Sequence, residues 1–265
     1  MRIAHESPLC IFDEVQAATD YDYALVHLYE ENPEYLAKFE KAIQDGRHVI
    51  LDNSVFELET AFDSERFLYW INKTKPTEYI IPDVLEDSYS TIVKLGEWKT
   101  LYEGRVETGS KTIGVVQGRN YDDIVWCYDH MKDLVDKIAI SFDYSFMCPD
   151  TITDPEQRCH AFMRGRGMLL KDMLKDGVID ISKPHHLLGA FLPQEFKFYR
   201  EYDWIDTIDT SNPVVAGINN TRYHSVFGLN TKEKTKLIEY MNDELTSEQK
   251  EAIFYNIETF RGFCK

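Results

Sequence analysis

Apolar runs with the length of β-strands recur along this chain, and each stops on a carboxylate or carboxamide. The pattern is HVILDNSVFEL at Asp52, EYIIPD at Asp83, TIGVVQG at Gln117, KIAISFD at Asp143 and WIDTIDTSN at Asp209. Buried strands that alternate with helices imply a parallel sheet, and such a sheet carries its chemistry at the carboxyl ends of its strands. The polar stops fall where a site of that kind would lie.

The segments between the strands have helical signals. Asn32-Pro33 is a cap and first-turn proline for PEYLAKFEKAIQDG, which stops at Gly46. A helix is expected from near Ser64, with Phe67, Leu68, Trp70 and Ile71 as its buried stripe, and another after Asp87. YDDIVWCYDHMKDLVD repeats apolar residues at Ile124, Val125, Cys127, Met131 and Leu134, and a further helix runs through Met163, Met168, Leu169 and Met173. Pro193 opens the helix between HHLLGA and WIDTID. The last two helices are TKEKTKLIEYMND and one with a capping box at Thr246 and Gln249.

Seven strands follow from this reading: YALVHL, HVILDN, EYIIP, TIGVVQ, KIAISF, HHLLGA and WIDTID. An eighth is sought in VVAGI (214–218) or near Leu9. The expected fold is a single-domain (β/α)8 TIM-type barrel over residues 1–265, with carboxyl-terminal helices from about 230 and an open doubly wound sheet as the alternative. The length of 265 residues suits one such domain. Neither G-x-G-x-x-G nor G-x-x-x-x-G-K-[ST] occurs, so dinucleotide and P-loop readings have no support.

No run of eighteen apolar residues is present, and MRIAHESPLC lacks the regions of a secretory signal. The chain reads as soluble and cytoplasmic. Its 5 cysteines, Cys10, Cys127, Cys148, Cys159 and Cys264, are scattered and suggest reduced thiols. A net charge of −17 repels polyanions at long range. Nucleic-acid binding would need a local reversal of that charge, and the basic-leaning stretches lie around Arg164, Arg166 and Lys171 and at Lys232, Lys234 and Lys236.

Carboxylates that converge on one face repel one another, which favours general acid-base work, a carboxylate nucleophile or a metal over a purely structural role. A lone strand-end Asp can also serve only as a helix cap. Metal is the weaker idea, because His185 and His186 begin a strand at the end opposite Asp209, and Cys159-His160 alone is slight evidence. No metal and no cofactor are expected.

The order of these motifs resembles the tRNA-guanine transglycosylase superfamily, and in character the short phage and bacterial relatives that insert 7-deazaguanines into DNA. ILDNSVFEL is similar to that family's strand ending in D-S-G and an aromatic, and IIPDVLEDS to its F-D-E-C-T segment. IGVVQGRNYDDI is similar to G-I-V-Q-G, HHLLGAFLPQEF to H-Y-L-M-G-V-G-x-P-x-D, and DWIDTIDTSNP to the strand bearing F-D-C or F-D-S. The likeness runs from about residue 45 to 213 in the family's order. Two departures stand out: ISFDYSF replaces the family's G-G-L-x-V-G-E segment, and the zinc motif C-x-C-x-x-C is absent.

Carried over residue by residue, the resemblance implies that Asp209, or else Asp206, is the nucleophile and that Asp52 is an acid-base or positioning carboxylate. Asp83 and Gln117 would hydrogen-bond the base, with Asn53 and Ser54 beside them. Gly118 and Gly189 would let base or sugar approach the backbone, Phe56 and Tyr144 would stack on the base, and Asp143 is a further contact. Arg119, Arg164, Arg166 and Arg222 would hold phosphates if the substrate is a polymer.

The implied activity is guanine replacement by a 7-deazaguanine in DNA. The alternatives are the same fold acting on a free nucleoside, nucleotide or base, and a non-catalytic barrel that binds a nucleobase or a protein. A homo-oligomer or a partner subunit could supply basic surface. The segment from Cys148 to Arg166, with its prolines and Arg-Gly-Arg-Gly run, is expected to form a lid.

Overall fold

The structure is a computed structural model and describes residues 1–142, 145–148, 151–232 and 237–265. The chain has the (β/α)8 barrel fold: parallel strands form an 8-stranded sheet in the order β1-β8-β7-β6-β5-β4-β3-β2, with helices between them. The strands are β1 (Arg2–His5), β2 (Asp22–Leu25), β3 (Val49–Asp52), β4 (Glu78–Ile80), β5 (Lys111–Val116), β6 (Lys137–Ile140), β7 (His185–Leu187) and β8 (Ile205–Thr210). The helices are α1 (Phe12–Ala17), α2 (Val26–Glu31), α3 (Pro33–Gln44), α4 (Val55–Leu58), α5 (Ser64–Thr74), α6 (Ser88–Glu97), α7 (Tyr121–Met131), α8 (Pro155–Lys175), α9 (Asn212–Ile218) and α10 (Ser247–Cys264).

By internal contact the chain divides into two compact units. One comprises residues 21–140 and 176–186. Its strands β2 to β6 pair in sequence, with Leu25 opposite Asp52 and Val116 opposite Ile140. Asn32 caps α3 by accepting from the Glu34 and Tyr35 amides, and Asp63 caps α5 by accepting from the Arg66 amide. The stripe expected on α5 is buried, and Phe67 packs edgewise on Tyr79 at 6.1 Å and against Trp98 at 5.6 Å.

The amino ends of these strands carry matched charges. Arg47 donates to Asp22 at 2.6 Å and Lys137 to Glu78 at 2.7 Å, while His48 lies 3.0 Å from the same Glu78 carboxylate. Burial would raise the Glu78 carboxyl, but hydrogen bonding to His48 and the Lys137 charge outweigh it and hold the group at about 2.

The other unit comprises residues 1–20, 141–175 and 187–265. Strands β1 and β8 pair in parallel, with Ala4 opposite Asp209 and His5 opposite Thr210. Ile11, Val15, Val214, Ile218, Ile253 and Ile257 join α1, α9 and α10 in one apolar cluster. The Thr246–Gln249 capping box opens α10 as its sequence indicates.

Three expectations about elements are corrected. The eighth strand is neither VVAGI nor at Leu9. It is RIAH at the amino terminus, and VVAGI lies in α9, where Pro213 occupies a first-turn position and every residue is buried. YALVHL is a strand only to Leu25, because the same apolar run continues into α2. The lid expected through Arg166 fails for its second half, since Pro155–Lys175 is one helix that buries Ala161, Met163, Gly165 and Arg166.

Candidate functional site

In the first unit, the strand-end residues of β3, β4 and β5 assemble one buried polar network. Asn53 follows Asp52 at the end of β3, with its side chain fully buried. Its amide nitrogen donates to the Ile81 carbonyl at 3.0 Å and to Asp83 Oδ1 at 2.8 Å, while its oxygen accepts from the Val55 amide at 2.9 Å. Gln117, just past β5, donates to Asp83 Oδ2 at 2.7 Å and accepts from the Glu86 amide at 3.0 Å. Asp83 is thus a carboxylate 1% exposed whose hydrogen-bond donors are neutral amides.

Burial pushes the Asp83 carboxyl up to about 6, and the hydrogen bonds from Asn53 and Gln117 offset part of that rise. With its own backbone amide, these donors fill three of the roughly four acceptor positions of a carboxylate. The group keeps some acceptor capacity for a ligand N–H donor.

The residues around this network have distinct roles. Asp52 ends β3, half-buried, in register with Leu25. Ser54 is buried and left-handed at φ 60°, with its hydroxyl accepting from the His27 amide at 3.4 Å. Phe56 is 57% exposed and so does not pack beneath the following helix. Gly118 lies close under the start of α7, where a Cβ would come within 2.7 Å of the Asp123 side chain and 3.0 Å of the Ile124 amide. That contact explains the glycine by helix packing, without a ligand. A cleft of about 490 Å³ opens beside α2 and α4, lined by His27, Glu30, Glu31, Leu58, Phe62 and Arg66 among others.

In the second unit, Asp209 lies near the carboxyl end of β8 and is 5% exposed. The Gly189 amide faces its carboxylate at 3.3 Å from each oxygen. Gly189 is left-handed at φ 58°, and a Cβ there would meet the Phe142 ring at 2.7 Å. Phe142, Phe191 and Phe162 form an aromatic wall beside this glycine, with ring centroids 6.5 and 5.5 Å apart along the series. The Lys232 ammonium lies 4.0 Å from the Phe142 centroid and the Arg158 guanidinium 4.9 Å from that of Phe162.

Asp206 occupies a different place on β8. It lies near the amino end and is held by Arg2 at 2.8 Å. An odd residue separation also turns it to the face opposite Asp209. Asp206 is therefore removed as the alternative strand-end carboxylate.

Arg166 is likewise not a phosphate contact. Its side chain is fully buried and donates to Glu195 at 2.7 Å, to the Leu188 carbonyl at 2.8 Å and to the Gly189 carbonyl at 2.9 Å. Tyr199 donates to the same Glu195 at 2.7 Å. The guanidinium braces the loop that carries the amide facing Asp209. Arg119, Arg164 and Arg222 are exposed; Arg119 lies 3.8 Å from Glu86 and Arg222 3.3 Å from Glu251. Asp143 and Tyr144, with Lys234 and Lys236, lie outside the described residues.

No family model matches the chain, and no curated protein matches it. The likeness to transglycosylases therefore rests on the motifs themselves. Among the described residues, no group of three or more His, Cys, Asp or Glu is placed to hold a metal ion. His185, buried by β7, is pushed down to about 4 by that burial and lies 3.0 Å from the Tyr128 hydroxyl. It reads as a core histidine. The motifs do not single out Phe142 or Phe191, although Phe142 directly precedes Asp143 and Phe191 lies two residues after Gly189.

Proposed function

We propose that this protein is a base-exchange transglycosylase that replaces guanine in DNA with a 7-deazaguanine. The observation that carries the reading is the Asp83 carboxylate, buried at real cost and held by neutral carboxamides. A guanine edge offers N1–H and N2–H2 as adjacent donors that suit a carboxylate such as Asp83, while O6 suits an amide donor such as that of Gln117.

Asp209 is the proposed nucleophile. Its carboxylate forms a bond to the anomeric carbon as the bond from that carbon to guanine N9 breaks, through an oxocarbenium-like transition state. The departing base takes the electron pair and a proton from Asp52. The incoming 7-deazaguanine returns its ring N–H proton to Asp52 as it displaces the carboxylate, so the second inversion restores the original configuration. The Gly189 amide steadies Asp209 before attack, and the Phe142–Phe191 wall offers a face for stacking.

The test offers labelled guanine, then deazaguanines, to the protein with guanine-containing DNA and, separately, tRNA. Incorporation into DNA that disappears in Asp209→Asn but survives in Asp206→Asn is the expected result, because Asp206 lies near the amino end of β8 in a half-buried pair with Arg2. No incorporation into either polymer refutes the polymer substrate. Exchange on free guanosine would then assign a small nucleoside, for which the net charge of −17 is no obstacle.

A further inference from the structure

The segment after α9 builds a rigid turn with an apolar tip. The backbone of His224 exchanges hydrogen bonds with that of Gly228, at 2.9 and 2.8 Å. The His224 ring nitrogen Nδ1 accepts from the amides of Val226 and Phe227, both at 3.1 Å. Buried Gln194, in the helical turn opened by Pro193, clamps the far side by donating to the Leu229 carbonyl at 2.7 Å and accepting from its amide at 3.0 Å. Gly228 is left-handed at φ 70°, and a Cβ there would lie 2.0 Å from Gln194 Oε1. Lys197 adds a bond to the Val226 carbonyl. These bonds hold the turn in one shape, yet Phe227 is 67% and Val226 54% exposed.

Two facts say what would cover such a tip. The first is charge: although 46 of the 265 residues are Asp or Glu, none occurs from Thr210 to Lys232, a stretch that holds Lys232 and Arg222, the latter paired with Glu251. Lys197 flanks the turn as well, and the neighbouring Glu195 is buried on Arg166, so it adds no surface charge. The second is connectivity: the clamp Gln194 and the amide that faces Asp209 belong to the same loop after β7, five residues apart. A projecting Phe beside a lysine and on a turn without carboxylates matches the apolar wedges that nucleic-acid-binding proteins insert between base steps. A flat protein interface would ask for a broader apolar area.

We infer that Phe227, backed by Val226, is a wedge that enters duplex DNA and fills the gap left when the target guanosine leaves the stack. This rests on the reading of the protein as a DNA transglycosylase. Lys197 and the absence of carboxylates from the turn's own sequence relieve locally the repulsion that the acidic chain exerts on a polyanion.

The experiment uses the full chain with Phe227→Ala and Phe227→Trp, a guanine-containing duplex bearing 2-aminopurine beside the target guanine, and the matching single strand. Wild-type protein should raise 2-aminopurine fluorescence on binding the duplex, and Phe227→Ala should abolish that rise. The ratio of duplex to single-strand exchange should fall by about tenfold in Phe227→Ala, the scale of one lost stacking contact, and recover in Phe227→Trp. An unchanged ratio with an unchanged fluorescence rise overturns the wedge while leaving the transglycosylase reading intact. Wild-type unstacking without any exchange overturns the reaction and keeps the wedge. A change of oligomeric state in Phe227→Ala, with duplex binding unaltered, assigns the tip to a protein contact and overturns the inference.

Discussion

Asp83→Asn isolates the cost of burying the carboxylate. The Asp83 carboxyl titrates at about 6 in the folded protein against 3.8 when free. Because the folded value is raised, the folded state holds the proton more tightly than the unfolded chain. That contribution is complete below about pH 4 and is lost as the pH rises through about 6. The gap of about two units corresponds to about 3 kcal/mol, and at 1% exposure solvent screening takes little from it.

The substitution also sets a second amide N–H2 among the donors of Asn53 and Gln117, at a cost that does not vary with pH. The informative quantity is therefore a difference of differences. Urea unfolding of both proteins at pH 4, 5, 6 and 7 should show Asp83→Asn gaining about 3 kcal/mol on the wild type between the first and last points. Parallel pH profiles for the two proteins would refute the assignment of a buried carboxylate whose side-chain hydrogen bonds come from neutral amides, and with it the strongest support for a donor-bearing ligand.

Two other perturbations test the frame around the candidate residues. Lys137→Met leaves Glu78 charged and buried with His48 as its remaining basic neighbour, and should cost about 3–5 kcal/mol in urea unfolding at pH 7. In the wild type the stabilisation from Glu78 should be lost as the pH falls from above 4.5 through about 2, since its folded value is depressed. Gly189→Ala forces a left-handed alanine against the Phe142 ring. It should lose about 1–2 kcal/mol of stability and, more sharply, base-exchange rate, read by single-turnover incorporation.

Strand ends were legible because a buried apolar run that halts on a polar residue marks both the element and its open end. Asp83 and Gln117 are marked that way, and they join one network with Asn53, the residue after the Asp52 stop. The amino-terminal strand was not legible, because four residues with Arg2 and His5 at the edges carry little alternation. VVAGI misled because apolar residues on every side fit a buried helix as well as a buried strand, and only the Asn212-Pro213 start favoured the helix.

Arg166 misled for a different reason. Composition treats an arginine as surface charge, and its partner Glu195 is 29 residues away with no local pattern to announce the pairing. The choice between Asp209 and Asp206 likewise needed the register with β1, which sets Arg2 beside Asp206.

In the unit of residues 21–140 and 176–186, ion pairs tie the amino ends of the strands, Asp22 to Arg47 and Glu78 to Lys137, while the carboxyl end of β4 leads to a carboxylate in amide company. The ion pairs and the carboxamide-held carboxylate thus lie at opposite ends of the strands of this unit, with β4 contributing to both. On the proposed reading, Asn53, Asp83 or Gln117 can change to suit a new base without loosening the ion pairs at the amino ends, and those pairs can change without altering the carboxamide-held carboxylate. Such separation leaves the scaffold free to acquire new specificities while remaining foldable at every step.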